Sequence, residues 1–214
     1  MLNGFRYNVH SMNTQEREDS LTLEILETIE QKNDVTQRHL ADRLDIALGL
    51  ANSYLKRCVR KGLIKIHQAP ANRYLYYLTP KGFAEKSRLT AEYLTTSFDF
   101  YRQAGESLTH IYNECERTGY RKILFCGISE LAEIASLRSL EHDLKIVGVF
   151  DPECKEKQFL HLPVWNSLAD VDEYDICLLT TLKNTDAIYK SLIEQIDSEK
   201  VLAPSILGIN TRSN

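Results

Sequence analysis

The apolar positions of this chain change their period twice. After Ser20, Leu21, Ile25, Leu26 and Ile29 recur every three or four residues, which predicts a helix from a Ser20 cap to about Lys32. Thr36 is placed to cap a second helix, with Leu40, Ala41 and Leu44 on one face. A break at Asp45-Ile46 separates it from a third helix, Leu48 to Lys61, which stops at Gly62. Alternation then takes over in 63–67 and in the aromatic run 74–78, two short strands around a turn at 68–73 that holds Pro70 and Asn72. Thr79-Pro80 opens a further helix, with proline at the first helical position. That helix extends to about Glu116, with Gly105 as a point of interruption. Ala91, Leu94, Phe98, Tyr101, Gly105, Leu108, Tyr112 and Cys115 form a coiled-coil-like seam along it. The seam predicts pairing with a second copy; packing on the helix's own domain is the plainer alternative.

Beyond Gly119 the pattern changes again. The run KILFCGI at 122–128 is almost continuously apolar, as a strand buried on both faces requires. A helical stretch follows, then LKIVGVFD, a short LPVW, DICLLTT, a helix from Asn184 to Ile196, and KVLAPSI. Strand and helix alternate at the spacing of βαβ units, which predicts a mainly parallel sheet. The expected fold class is therefore α/β plus α+β: an N-terminal winged helix-turn-helix, a long connecting helix and a C-terminal Rossmann-like domain. The expected boundaries are a flexible segment at 1–19, the winged helix at 20–80, the connecting and dimerisation helix at 81–118, and the α/β domain at 119–214.

Composition narrows the class. With 43% hydrophobic and 26% charged residues, the chain of 214 is globular in character. No apolar run approaches the length of a membrane span, and residues 1–19 lack a signal-peptide core. Five scattered cysteines without a C-x-x-C argue for reduced thiols and against a zinc site, so the expectation is a cytoplasmic protein without membrane contact. The net charge of −4 conceals a segregation. Thr36 to Arg88 carries eleven Lys and Arg against three acids, a window of +8, and leaves −12 for the rest. A basic island in an acidic chain is the footprint of a polyanion site.

That island coincides with the third helix and the hairpin. Leu48, Ala51, Leu55, Cys58 and Val59 form the stripe expected to pack inward. Gly49, Leu50, Asn52, Ser53, Lys56, Arg57 and Arg60 are left outside, with Asn52 and Ser53 early enough to meet base edges and the three cations suited to phosphates. The hairpin adds His67, Gln68, Asn72 and Arg73. Three helices and a hairpin with these donors predict binding to double-stranded DNA; a winged helix that binds a protein is the alternative.

The stretch LTLEILETIEQKNDVTQRHLADRLDIALGLANSYLKRCVRKGLIKI, with YLYYLTPKGFAEKSRL, resembles MarR-type winged-helix regulators, and in particular a subgroup associated with bacterial exopolysaccharide gene clusters. The matching region is about residues 20–110. The resemblance implies a dimer on a pseudo-palindromic operator and regulation of polysaccharide-related genes. Ala47 departs from it, standing where the subgroup usually has a serine cap.

In the α/β domain, the first strand runs into Gly127-Ile128-Ser129-Glu130-Leu131-Ala132, and the next ends at Asp151. Against the dinucleotide pattern G-x-G-x-x-G/A this reads G-x-S-x-x-A. Gly127, Ser129 and Asp151 are the candidate cofactor residues, for a nucleotide, sugar nucleotide or NAD(H) effector. A tight turn at Gly127 and a plain strand end at Asp151 are the structural alternative. The order of domains is similar to that of Rex-type redox-sensing repressors, which keep the intact glycine pattern.

No catalytic set is evident. The one Tyr-x-x-x-Lys, Tyr77 to Lys81, contains Pro80, and no G-x-S-x-G, Walker lysine or H-E-x-x-H occurs. The expectation is that the chain is not an enzyme. A nucleotide-binding enzyme with a DNA-binding head is the remaining alternative.

Overall fold

The computed structural model describes residues 14–70 and 73–209. They divide into two compact units, Met1–Ser97 and Phe98–Asn214.

The first unit begins with three helices, α1 (Thr14–Gln31), α2 (Gln37–Leu44) and α3 (Leu48–Arg60). Helix α1 starts six residues before the Ser20 cap, so the part of the 1–19 segment from Thr14 onward is helical; Met1 to Asn13 lie outside the described residues. The reason is local: Glu16 sits in the first turn, where a carboxylate meets the positive end of the helix dipole, and Gln15 bonds Asp19 one turn on at 3.0 Å. Thr36 caps α2, accepting from the His39 N–H at 3.1 Å. Asp45 closes it in the left-handed region at φ 52°, and the Ile46 N–H reaches back to the Ala41 carbonyl. Helix α3 has Ala47 at its N-cap and no side-chain cap there.

The end of α3 is firmly made. Gly62 adopts φ +73°, its N–H bonds the Val59 carbonyl and the Leu63 N–H bonds that of Cys58, each at 2.9 Å. The antiparallel hairpin β1 (Ile64–Ala69) and β2 (Arg73–Leu78) follows directly. Leu21, Ile25, Leu26, Ile29, Leu40, Leu44, Leu55 and Tyr76 are among the side chains of its shared core.

Helix α4 (Pro80–Thr118) is continuous through Gly105. Thr79 starts it, accepting from the Gly82 N–H at 3.0 Å while donating to the Gly62 carbonyl at 2.6 Å. The division between the units falls inside this helix. The expected seam divides as well. Leu108, Tyr112 and Cys115 are buried in the core of the second unit, whereas Leu94, Phe98 and Tyr101 are exposed. From Gly105 on, the seam serves its own domain, because the three-four period does not distinguish a core from a partner. Gly105 itself is buried against the Arg138 guanidinium, and a Cβ there would lie 2.8 Å from Nη2.

The second unit is a six-stranded sheet in the order β5-β6-β4-β3-β7-β8. The strands are β3 (Lys122–Cys126), β4 (Lys145–Phe150), β5 (Gln158–Phe159), β6 (Leu162–Trp165), β7 (Ile176–Leu179) and β8 (Val201–Leu202). All neighbours are parallel except β5 on β6. Helices α5 (Glu130–Ser139) and α6 (Thr185–Ile193) complete it, α6 being shorter at both ends than the apolar pattern predicts. Reading only the parallel strands, the order places the first strand of the unit in the middle, as in half of a doubly wound sheet. Ile123, Leu124, Phe125 and Cys126 are all fully or almost fully buried, which accounts for their unbroken apolar run. Tyr112 of α4 is buried on α5 and donates its hydroxyl proton to the Ala135 carbonyl at 2.8 Å.

Candidate nucleic-acid interface

Helix α3 buries Ala51, Leu55 and Cys58. Two members of the predicted inward stripe differ: Leu48 is exposed and Val59 is half-buried. Leu48 belongs to the first turn, beyond the reach of the core. At about 100° per residue, Gly49, Ser53, Lys56 and Arg60 centre on the side opposite that stripe, and all four are exposed. Leu50 is exposed at one margin of this face, and a Cβ on Gly49 would meet open space.

Two predicted contacts are placed otherwise than expected. Asn52 lies at the flank of α3, half-buried, with its Oδ1 buried and unbonded among the described residues. Bidentate reading of an adenine needs both amide atoms outward, so Asn52 in this rotamer does not present that pair. Arg57 is not free: its Nη1 lies 2.6 Å from Glu18 Oε1 on α1. The Glu18 hydrogen bond, followed by its charge, raises the Arg57 pKa further above its ordinary value.

The hairpin pleat divides the wing residues. Lys65 pairs with Tyr77, His67 with Leu75 and Ala69 with Arg73, so His67 and Arg73 share a face with Lys65. Gln68, opposite Tyr74, points to the other face with Ile66. His67, Gln68 and Arg73 are all exposed. Asn72 lies outside the described residues.

The charges of the basic window sort by location. Arg43 pairs with Glu24, Lys86 with Glu30, and Arg88 with Glu85 and Glu92. On α3 and the hairpin, Lys56, Arg60, Lys65 and Arg73 make no ion pair among the described residues. Lys81 caps the end of α3, donating to the Lys61 carbonyl at 2.9 Å. Of the seven cations of the window without an ion pair among the described residues, four thus lie on the outer face of α3 and one face of the wing, the others being Arg38, Lys61 and Lys81. Sequence periodicity had no means of detecting the Glu18–Arg57 pair.

At the sheet, Gly127 follows β3 with φ +99°, and a Cβ there would lie 2.5 Å from the Thr181 Cβ. Ser129 caps α5, accepting from the Leu131 N–H at 3.0 Å and donating to the Thr180 carbonyl. Thr180 in turn donates to the Gly127 carbonyl at 2.6 Å. Asp151 accepts from the Ile128 N–H with one oxygen, and from the Glu153 and Cys154 N–H groups with the other, all at 3.1 Å. The three candidate cofactor residues are therefore brought together, but their polar atoms join β3, β4 and β7. Cys126 is buried, and its thiol is raised well above the ordinary range by its contact with Cys177 and by burial. Among the described residues no helix is long and apolar enough to cross a membrane.

Residues 18–65 match the family model described as winged helix-turn-helix DNA-binding. The first unit is a winged helix-turn-helix of that DNA-binding class. Solved structures with partial likeness include MepR, titled a transcription regulator of the Staphylococcus aureus multidrug efflux pump MepA. It is 23% identical with a TM-score of 0.35 over 40% of this chain and 63% of that one. The zinc-responsive MarR family member ZitR of Lactococcus lactis is 24% identical with a TM-score of 0.32, over 50% of this chain and 69% of that one. The chain spans less than two thirds of the length of MepR. No curated protein matches the sequence.

A third likeness corrects the expectation that the chain is not an enzyme. Human N-acetylserotonin methyltransferase, solved with SAM, aligns over 88% of this chain and 74% of its own, at 15% identity and a TM-score of 0.35. The motifs sought in the sequence were those of acid–base and nucleophilic catalysis. Group transfer from an activated cofactor places its hard chemistry on the cofactor and needs none of them, so their absence did not exclude an enzyme. The likeness assigns no reaction to this chain.

Proposed function

We propose that this chain is a dimeric transcription regulator that binds duplex DNA through α3 and the wing. The observation that carries the reading is the sorting of charge. Arg43, Lys86 and Arg88 are paired with carboxylates within the unit, whereas Lys56, Arg60, Lys65 and Arg73, four of the seven unpaired cations of the window, share the outer face of α3 and the wing without a carboxylate among the described residues. Such a face attracts phosphates along a groove, while Ser53 and Gly49 at its centre leave α3 thin enough to approach base edges.

Dimerisation is supported by the exposed part of the α4 seam. Leu94, Phe98 and Tyr101 stand at three-four spacing on one continuous helix, with Phe98 at 61% exposure. In this reading a second copy covers them, and the dimer meets a pseudo-palindromic site. The sequence resemblance of residues 20–110 favours operators beside polysaccharide-related genes. For the α/β unit, the engagement of Gly127, Ser129 and Asp151 in strand-to-strand bonds supports a structural role for the crevice over a nucleotide site.

The test is selection of genomic fragments by the purified protein, followed by anisotropy titration of the recovered duplex against a scrambled one. Preferential binding of an inverted repeat supports the reading. Equal, weak binding to both sequences, or none, overturns it.

A further inference from the structure

Arg57 differs from the other cations of the α3 outer face in having a carboxylate of its own. Its Nη1 is 2.6 Å from Glu18 Oε1, and the two side chains are 39% and 23% exposed. Lys56 and Arg60, its neighbours on the helix, have no ion pair among the described residues. The guanidinium has five N–H donors, and a single contact from Glu18 leaves others able to reach a phosphate. What the contact removes is the net charge: a phosphate approaching Arg57 meets a neutral pair.

We propose that Glu18 cancels the charge of Arg57 and so lowers the sequence-independent affinity of the α3 face for duplex DNA, which holds down binding to non-cognate DNA. The inference rests on the DNA-binding reading above. Non-specific affinity is nearly all phosphate electrostatics, whereas cognate affinity adds base contacts. Removing one unit of charge from the face weakens both modes by the same phosphate contribution, and a non-cognate duplex has no base contacts to hold it on. The α1 helix must begin upstream of Glu18 for this to operate, which gives a role to the early start at Thr14.

The test is Glu18→Gln, which keeps an oxygen acceptor for Arg57 but not the charge. On a random-sequence duplex, the plot of log K against log salt is expected to steepen by about 0.9, the value of one released counterion. The variant's advantage over the parent then grows by about three- to fourfold as salt falls from roughly 200 to 50 mM. The ratio of cognate to random affinity is expected to change far less than either affinity. In an Arg57→Gln background, where no cation is freed, adding Glu18→Gln is expected to steepen the slope by clearly less. An unchanged or shallower slope for Glu18→Gln, or a steepening of equal size without Arg57, overturns the inference and leaves the DNA-binding reading standing. A parent protein that shows no salt-dependent duplex binding overturns that reading, and this inference with it.

Discussion

Replacing Gly127 by alanine isolates why a glycine stands at the end of β3. The residue adopts φ +99°, where an L side chain costs about 1–2 kcal/mol. The added methyl would also sit 2.5 Å from the Thr181 Cβ and 3.0 Å from its Cα and N. These are main-chain and branch-point atoms that do not rotate away, and forcing such an overlap in a packed region costs about 1–3 kcal/mol. The sum is a loss of about 2–5 kcal/mol in the stability of the α/β unit. The assay is urea unfolding followed by the fluorescence of Trp165, the single tryptophan of the chain, which belongs to that unit. Its ring packs on Gly148 of the adjacent strand, so its emission reports loss of sheet packing. The midpoint for Gly127→Ala is expected to fall with little change in slope. A midpoint within error of the parent would refute the packing reason and leave Gly127 as a candidate cofactor residue.

Three further outcomes follow from the same contacts. Tyr112→Phe removes the bond to the Ala135 carbonyl but not the ring, and is expected to cost the α/β unit about 1 kcal/mol by the same fluorescence assay. The Asp175 carboxyl is held below its ordinary pKa by the N–H groups of Arg121 and Lys122, at 2.7 and 2.8 Å. A depressed folded pKa stabilises above the unfolded value and is lost as pH falls through the folded one. Asp175→Asn is therefore expected to flatten the acid side of the stability curve below about pH 4, measured by unfolding at stepped pH. Leu94→Glu with Phe98→Glu is expected to convert a dimer to monomer by sedimentation velocity; an unchanged sedimentation coefficient would exclude that stretch of α4 as the interface.

Periodic segments were legible because one physical requirement sets both pattern and fold. Leu21 to Ile29 must face a core, and Ile123 to Cys126 must be apolar on both sides. Gly62 and Thr36 were legible as punctuation, since each satisfies orphan backbone groups by a local bond. Residues 14–19 were not, because that turn of α1 faces no core and carries no apolar period. The seam of α4 read as one stripe, although Leu94 and Leu108 share a spacing and end in opposite environments. The site was legible as a face and not as contacts. Asn52 and Arg57 were assigned from their own helix, while their surroundings are set by distant segments, Glu18 among them. Gly127 likewise owes its constraint to Thr181, 54 positions later, which no local motif records.

The central claim is that α3 presents its cations to phosphates. Salt titration of duplex binding by the parent protein and by a Lys56→Gln, Arg60→Gln variant tests it most directly. Removal of two phosphate contacts is expected to reduce the magnitude of the slope of log K against log salt by about 1.8 per protomer engaged. Circular dichroism of the variant is expected to match that of the parent, since both side chains are exposed and unpaired among the described residues. A folded variant that binds duplex DNA with the parent's affinity and the parent's slope would contradict the account.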